Sequence, residues 1–597
     1  MTTDESRTAS PAGPDSIALL YDDGAYVETL KAPAGQSANA PLGLMGRQVA
    51  GKAFLEALLA HGRASQYLAI TLNAPSAHSF ANLCQTHPAP AVRTRKYHVA
   101  DGQHFHRTFF PNPPSRVIHI PQPPEPRFAW ARSTAAGLNP EARDAYAISG
   151  VTHTLSSTGA VETLNQLVLA PFEPYDALIC TSRAVANMVR AVTGSYCDHL
   201  RDRFGGDPGL KLRVETIPLG VDTEKYRPAT PAERASVRQA LKIGDDEVVV
   251  LFVGRLSFHA KAHPFPMYES LARAARATAR KVRLICSGWA ANEGILRAWV
   301  DGSRAFAPEV RTDFLDGTSP AARYAVWHAA DIFTSLSDNI QETFGLVVIE
   351  SMACGVPAVV TDWDGYRDLI VQGNTGYLVP TLMVRGATLD TTSRHLFGEI
   401  NYDLYLAACS QAAVVDIGAT AEAFTKLIGD ENLRRTMGEA GRAHALNHFA
   451  WPRVIRAYES LWGEMDAERQ ARVASPPKTR RTHGPACYPP PEVAFAGYPT
   501  AWIEDTDRLE ATHAAVDRLP LVLNHPLCNY HPDSRSTDAT LIRNVLAAAS
   551  KACEMPKLDA VFAKAGIPAT IGRATIAWML KYGLLVRVPA VSVADRS

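Results

Sequence analysis

Short apolar runs alternating with amphipathic stretches set the pattern of this chain from residue 17 onward. Residues 16–20, 67–72, 116–120, 146–152 and 177–180 read as strands, with helices over 45–61, 159–169 and 182–192 between and after them. That alternation predicts an α/β domain with a mostly parallel sheet. The run 111–126 is rich in proline and reads as largely irregular. The pattern pauses at 217–228, a helix with charged faces follows over 231–241, and a second series of strands runs through 247–253, 282–286, 331–335, 357–361 and 376–379. Two doubly wound domains in tandem place ligands at the carboxyl ends of their strands, in a shared crevice.

Helices over 419–428, 431–447 and 451–465 close this unit, and residues 475–499, with seven prolines, read as a semi-rigid linker. The predicted division is a disordered start at 1–16, domains at 17–230 and 231–450, a closing helix at 451–474, the linker, and a small mainly helical appendage at 500–597. Within the appendage the order helix 556–565, turn at Gly566, helix 570–580 and strand 584–588 suggests a winged-helix-like module. Its second helix offers only Arg573 and Lys581 among apolar positions, which argues against nucleic acid and for packing or homo-oligomerisation.

Length and composition narrow the classes further. A chain of 597 residues exceeds one hydrophobic core, and 60 basic against 60 acidic side chains give no overall case for nucleic acid or an anionic membrane. The nine cysteines are scattered without a CxxC pair or zinc-like spacing, and no apolar run is long enough to span a bilayer. With a polar, acidic start unlike a signal peptide, the expectation is a reduced, cytoplasmic protein.

The segment Gln341-Glu342-Thr343-Phe344-Gly345-Leu346, continuing to Pro357, sets two carboxylates into an otherwise apolar run. A charge in a buried helix is costly unless something pairs with it. With the helix starting at Phe344 or Gly345, Glu342 precedes it and Glu350 lies about one turn beyond Leu346. The helix N-terminus can then hold a phosphate while the carboxylates accept hydrogen bonds from hydroxyl groups, which suggests a sugar nucleotide. The strand at 247–253 runs into Gly254-Arg255-Leu256 and on to Lys261, a loop suited to gripping a diphosphate. In the first domain, Gly43 and Gly46 of Pro41–Arg47 allow close approach of the backbone to a ligand, and His153 ends a predicted strand facing the crevice.

These pieces together resemble a retaining glycosyltransferase of family 4, with the GT-B fold of two facing Rossmann-like domains. The carrying residues are Gly254-Arg255-Leu256 with Lys261, Glu342-Thr343-Phe344-Gly345-Leu346 with Glu350, the run Ala353 to Val360, Gly376-Tyr377-Leu378-Val379, and Gly220 to Pro228. The resemblance implies that Arg255 and Lys261 bind the donor diphosphate, Glu350 the ribose, and Glu342 the transferred sugar. It also implies donor contacts at Gly345, Leu346 and Gly46, and a hydrogen bond from His153 near the reaction centre. Donor and acceptor are then a UDP- or GDP-linked sugar and an acceptor hydroxyl of unknown kind, with no metal and no other cofactor; the donor-site segments show no Asp-x-Asp metal motif. The chain departs from the family in the six positions from Arg255 to Lys261, where five are usual, and in Ala262 where glycine is common. The loop Asp362 to Asp368 is unusually acidic and aromatic, and reads either as a selector of donor or acceptor or as a surface loop; Asp338 to Gln341 has no assigned role. The rival readings are a GT-B sugar-nucleotide epimerase and an inactive sugar-nucleotide sensor whose carboxy-terminal module acts on a partner.

Overall fold

The computed structural model describes residues 14–26, 46–93, 96–102, 105, 109–110, 113–138, 140–317, 324–474, 489–531 and 535–588. The chain divides into two compact units, Met1–Cys487 and Tyr488–Ser597.

The first unit holds two parallel sheets. Seven strands form the first: β1 (Ser16–Leu20), β2 (Gln66–Thr71), β3 (Lys96–Asp101), β4 (Val117–Ile120), β5 (Ala147–Val151), β6 (Ala177–Cys180) and β7 (Arg213–Thr216). Their order across the sheet is β3-β2-β1-β4-β5-β6-β7. Six form the second: β8 (Glu247–Val253), β9 (Lys281–Gly288), β10 (Arg311–Asp316), β11 (Ile332–Ser335), β12 (Ala358–Thr361) and β13 (Gly376–Val379), in the order β10-β9-β8-β11-β12-β13. Each sheet reverses its winding beside its first strand. Ile17 and Ala18 of β1 pair with β2 and β4, and Val250 of β8 pairs with Leu284 of β9 and Ile332 of β11. These are the two Rossmann-like domains of the GT-B resemblance, and a crevice at each reversal point is where such sheets take ligands.

Burial explains the sequence pattern. Val249, Val250, Leu251 and Phe252 are all buried, because helices cover both faces of β8. The helices between strands start at local signals. Thr230 and Glu233 form a capping box for Pro231–Ala240, and Ser182 caps Arg183–Phe204 by accepting from the Val185 N–H. The helix Trp451–Ala474 packs on the first domain: Trp451, Val454, Ile455, Tyr458, Leu461, Trp462 and Met465 join the core of Phe54 and Tyr67. Trp462 Nε1 donates to Ser149 Oγ on β5 at 2.9 Å, fixing the helix over the sheet. This long helix therefore belongs to the amino-terminal domain in packing although it follows the second domain in sequence.

Sequence boundaries shift in three places. The first strand begins at Ser16, inside the stretch 1–16 expected to be disordered, whose residues 1–13 lie outside the described residues. Three strands of the two parallel sheets, β3, β7 and β10, carried no apolar pattern strong enough to be read. The helix expected to start at Phe344 or Gly345 begins at Leu346 and ends at Ala353. Among the described residues no helix is long and apolar enough to cross a membrane.

In the second unit β16 (Arg508–Ala511) sits between β17 (Cys553–Glu554) and β18 (Leu585–Val588), both antiparallel to it. The helices Ala539–Ala548, Met555–Lys564 and Ala569–Lys581 pack over this small sheet around Leu509, Ile542, Leu558 and Met579. The helix, turn, helix and strand expected over 556–588 are present. Arg573 spends its charge on Asp505 and Asp559 at 2.7 and 2.5 Å, so it is not a free cation for a phosphate backbone.

Candidate functional site

A cavity of about 340 Å³ opens between the two domains of the first unit, at the carboxyl ends of β5, β8, β9, β10 and β11. It is lined by His153, Arg255, Lys261, Glu342, Gly345, Leu346 and Glu350, so seven of the eight residues singled out in the sequence meet there. The eighth, Gly46, opens the helix Gly46–His61, whose Val49 and Ala50 line the same cavity. The rest of its motif, residues 41–45, lies outside the described residues.

The second domain supplies the charges. The chain leaves β8 through Gly254, whose φ of 149° suits glycine and whose missing side chain leaves room for the Lys261 stem. Lys261 Nζ forms an ion pair with Glu342 Oε2, with little of either side chain exposed. Burial alone would raise the Glu342 pKa. The Lys261 ammonium and the N–H groups of Phe344 and Thr343 outweigh it, and the carboxyl lies below its ordinary value. Arg255 differs. Its Nη2 donates to Gln341 Oε1 at 2.6 Å and to the Ala260 carbonyl at 3.3 Å, and among the described residues no carboxylate lies within ion-pairing distance of it. Burial pulls its pKa down against the attraction of Glu342 and Asp403. A desolvated guanidinium with unused donors is a site for an anion.

Backbone geometry adds a second source of positive potential. Gly345 sits at φ 104° and caps the helix Leu346–Ala353, turning Leu346 and Val347 into the cavity with Glu350 one turn further along. A β-carbon at Gly345 would fall 2.3 Å from the Tyr366 ring, so both the φ and the packing demand glycine. The first amides of the helix are thereby left facing the space between Arg255 and Glu350.

The residues without an assigned role turn out to stitch the two charged loops together. Asn339 donates to the His259 carbonyl, Asp338 accepts from the His263 N–H at 3.3 Å, and Ser337 donates to the Lys261 carbonyl at 3.1 Å. Gln341 completes the seam by receiving Arg255. Desolvation pushes the Asp338 carboxyl up to about 7, against the His263 N–H and the Ser410 hydroxyl, which pull it down. The loop Asp362 to Asp368 braces this seam from outside the cavity. Trp363 Nε1 donates to the Asn339 carbonyl at 3.1 Å, and the Tyr366 hydroxyl reaches Ser335 at 2.8 Å and Glu342 at 3.5 Å. Asp362 and Asp364 do spell Asp-x-Asp, but Asp362 is held by Arg367 at 2.6 Å while Asp364 Oδ2 is buried without a hydrogen-bond partner. Among the described residues no group of three His, Cys, Asp or Glu side chains is placed to hold a metal ion.

The first domain supplies a histidine to the cavity and, beside it, contacts that hold the second domain's loops. His153 follows β5, and its Nε2 lies 2.9 Å from the Pro121 carbonyl oxygen. A carbonyl only accepts, so this nitrogen carries a proton. Ser182 Oγ donates to the Thr343 carbonyl at 2.9 Å, and Asp368 accepts from the N–H and Nε of Arg183 at 2.6 and 2.5 Å. The first domain thus holds the backbone next to Glu342. These cross-domain partners have no sequence signal, because they meet only in the folded pair.

Residues 233–383 match the family described as glycosyl transferases group 1. Among curated proteins, the D-inositol 3-phosphate glycosyltransferase of Rhodococcus erythropolis is 30% identical over 247 residues, 40% of this chain and 52% of the relative. The protein of the same name from Nocardia farcinica is 27% identical over 324 residues, 52% of this chain and 61% of the relative. The chain spans little more than half the length of these relatives. A solved structure, that of Anabaena Alr3699/HepE in complex with UDP, aligns with 74% of this chain and 98% of its own at 16% identity and a TM-score of 0.46. The stretch that matches the glycosyl transferases group 1 family, residues 233–383, carries Arg255, Lys261, Glu342, Gly345, Leu346 and Glu350.

Proposed function

We propose that the chain is a retaining glycosyltransferase, of family 4 by its resemblance, which moves a sugar from a UDP- or GDP-linked donor to an acceptor hydroxyl without a metal. The observation that carries this reading is the desolvated Arg255, without a carboxylate partner among the described residues, beside Lys261 and the helix N-terminus at Leu346. A diphosphate satisfies all three at once. Glu350, one turn into the helix, then takes the ribose hydroxyls, and Glu342, backed by Lys261, takes hydroxyls of the transferred sugar.

In the reaction the acceptor oxygen forms its bond to the anomeric carbon on the face from which the diphosphate departs, so the configuration is retained. The bond from that carbon to the phosphate oxygen breaks, and a leaving phosphate oxygen accepts the acceptor's proton. Arg255, Lys261 and the helix amides stabilise the charge that grows on the leaving group. His153 offers a neutral hydrogen bond from the opposite domain. Glu342 and Glu350 both serve the donor, unlike the pair of acids that flank a bond in hydrolases.

Calorimetry with UDP and GDP, followed by the corresponding sugar nucleotides, tests the assignment. The wild type should bind one diphosphate, and Arg255→Ala should weaken it about 10- to 100-fold, the range of hydrogen bonds to charged groups. If neither nucleotide binds the wild type, the donor site is wrongly assigned. Turnover only in the presence of an acceptor then separates a transferase from an epimerase or a sensor.

A further inference from the structure

The strands β14 (Thr381–Met383) and β15 (Ala413–Val415) pair antiparallel, and between them the helix Tyr402–Gln411 reaches back to the cavity. The match to group 1 glycosyl transferases ends at Met383, so nothing in it assigns this helix. Its first residue, Tyr402, is half-buried and joins three parts of the molecule. Its hydroxyl lies 2.6 Å from Ser156 Oγ in the first domain, three residues after His153. It also accepts from Gln341 Nε2 at 3.4 Å, and Gln341 Oε1 in turn holds Arg255.

We infer that Tyr402 is a positioning residue that couples the approach of the first domain to the aim of the Arg255 guanidinium. Resting on the donor site proposed above, it orients a cation for the diphosphate and touches neither substrate. The chemistry is directional. Gln341 has one amide oxygen for Arg255, and its amide nitrogen must find an acceptor elsewhere to hold that orientation. The Tyr402 hydroxyl is that acceptor, and Ser156 fixes the hydroxyl only while the two domains stand together. Opening the cleft releases Ser156, then the amide, then the guanidinium. A ligand seated on Arg255 is thus held best when the acceptor-side domain is in place.

The test compares nucleoside diphosphate with nucleoside monophosphate, using UDP and UMP, and GDP and GMP, on the full chain. Arg255 is assigned to the diphosphate, so its correct aim sets how far the diphosphate is preferred. Tyr402→Phe keeps the ring and removes one oxygen; it should cut that preference about five- to tenfold, within the value of one neutral hydrogen bond. Ser156→Ala reads the same link from the other domain and should cut it in the same direction, with the double variant no worse than Tyr402→Phe alone. Tyr405→Phe, a hydroxyl removed from the same helix, should leave it unchanged. A wild-type preference in Tyr402→Phe, or equal weakening of monophosphate and diphosphate, overturns the inference and leaves the donor site standing. Failure of the wild type to bind any of the four nucleotides overturns both.

Discussion

The two domains of the first unit share a topology and divide the chemistry. Both are parallel sheets that reverse beside their first strand, and both present the ends of their strands to the same cavity. The second contributes Arg255, Lys261, Glu342, Glu350 and a helix N-terminus; the first contributes His153, Thr154, Val49, Ala50 and Leu219. One wall is charged and internally stitched; the other is largely apolar at the cavity and is held by a few hydrogen bonds and the Arg183–Asp368 ion pair. Under the proposed function this asymmetry means that donor affinity resides in the second domain and acceptor turnover needs the first. Substitutions ranked by their effect on nucleoside diphosphate affinity test that division.

The largest effect should come from Lys261→Ala. It removes one cation from the proposed diphosphate site and strands the Glu342 carboxylate in a desolvated position. Breaking one side of a buried pair costs about 3–5 kcal/mol of folding stability, and losing a charged contact to the diphosphate should lower affinity, measured by calorimetry, by about 100-fold. The pH dependence of stability should also change sign. In the wild type Glu342 has a lowered pKa, so its contribution is present above the ordinary glutamate range and is lost as pH falls through the folded value. Without Lys261, burial becomes the leading influence and raises that pKa. The variant should then regain stability as acid protonates Glu342, visible as a melting temperature that rises where the wild type's falls.

A smaller but still clear loss is expected for Gly345→Ala. An L side chain at φ 104° is strained, and its β-carbon would meet the Tyr366 ring at 2.3 Å. The strain, of order 1–3 kcal/mol, has to be relieved by moving the helix start or Tyr366, whose hydroxyl lies beside Glu342. Diphosphate affinity should drop about tenfold with little change in total helix content by circular dichroism. An unchanged affinity would show that the amides at Leu346 and Val347 contribute nothing to the charged wall.

How much of this was legible in the chain follows the same division. The strands with strong apolar runs, β1, β8 and β12 among them, were readable because burial on both faces demands such runs. Those missed in the two parallel sheets, β3, β7 and β10, all lie at sheet edges, where Arg213-Val214-Glu215-Thr216 or Arg311-Thr312-Asp313 can face water on one side. Site residues contributed by a single loop or helix, such as Arg255 with Lys261 and Leu346 with Glu350, could be read from local spacing. Gln341, Ser182, Arg183 and Tyr402 could not. Their partners lie tens to hundreds of residues away, and nothing in local spacing records a hydrogen bond made across a cleft.

Asp364→Asn asks whether the acid packed behind the second domain's wall is useful. Asp364 holds φ 51° and a buried, unpartnered Oδ2. Desolvation first, and then the neighbouring Glu342, push its carboxyl up to about 8, with Asp368 adding to the rise and the Gly365 N–H and Arg367 opposing it. A carboxyl raised in the folded state binds its proton more tightly there than in the unfolded chain. Its cost is absent below the unfolded pKa and grows as pH rises towards the folded value. Asparagine tolerates the left-handed backbone and carries no charge. The variant should match the wild type near pH 4 and melt higher by about 2–4 °C or more at pH 8. Diphosphate affinity should change only slightly, since Asp364 is not among the residues lining the cavity.

A small effect on affinity is expected for His153→Ala, and it bears most directly on the contrast between the two walls. His153 lines the cavity from the first domain, with its Nε2 proton engaged by the Pro121 carbonyl, so that proton is not offered to a ligand. One neutral hydrogen bond contributes about 0.5–1.5 kcal/mol, which limits the change in nucleoside diphosphate affinity to roughly tenfold and places it nearer threefold for a half-exposed ring. Turnover is another matter. A group held at the reaction centre by the first domain positions the reacting atoms, and misplacing them by about 1 Å costs about 100-fold in rate. Calorimetry with the diphosphate and an acceptor-dependent rate, measured on the same variant, should therefore diverge. If both fall together by the same factor, His153 serves donor binding, and the division between a binding wall and a reacting wall fails.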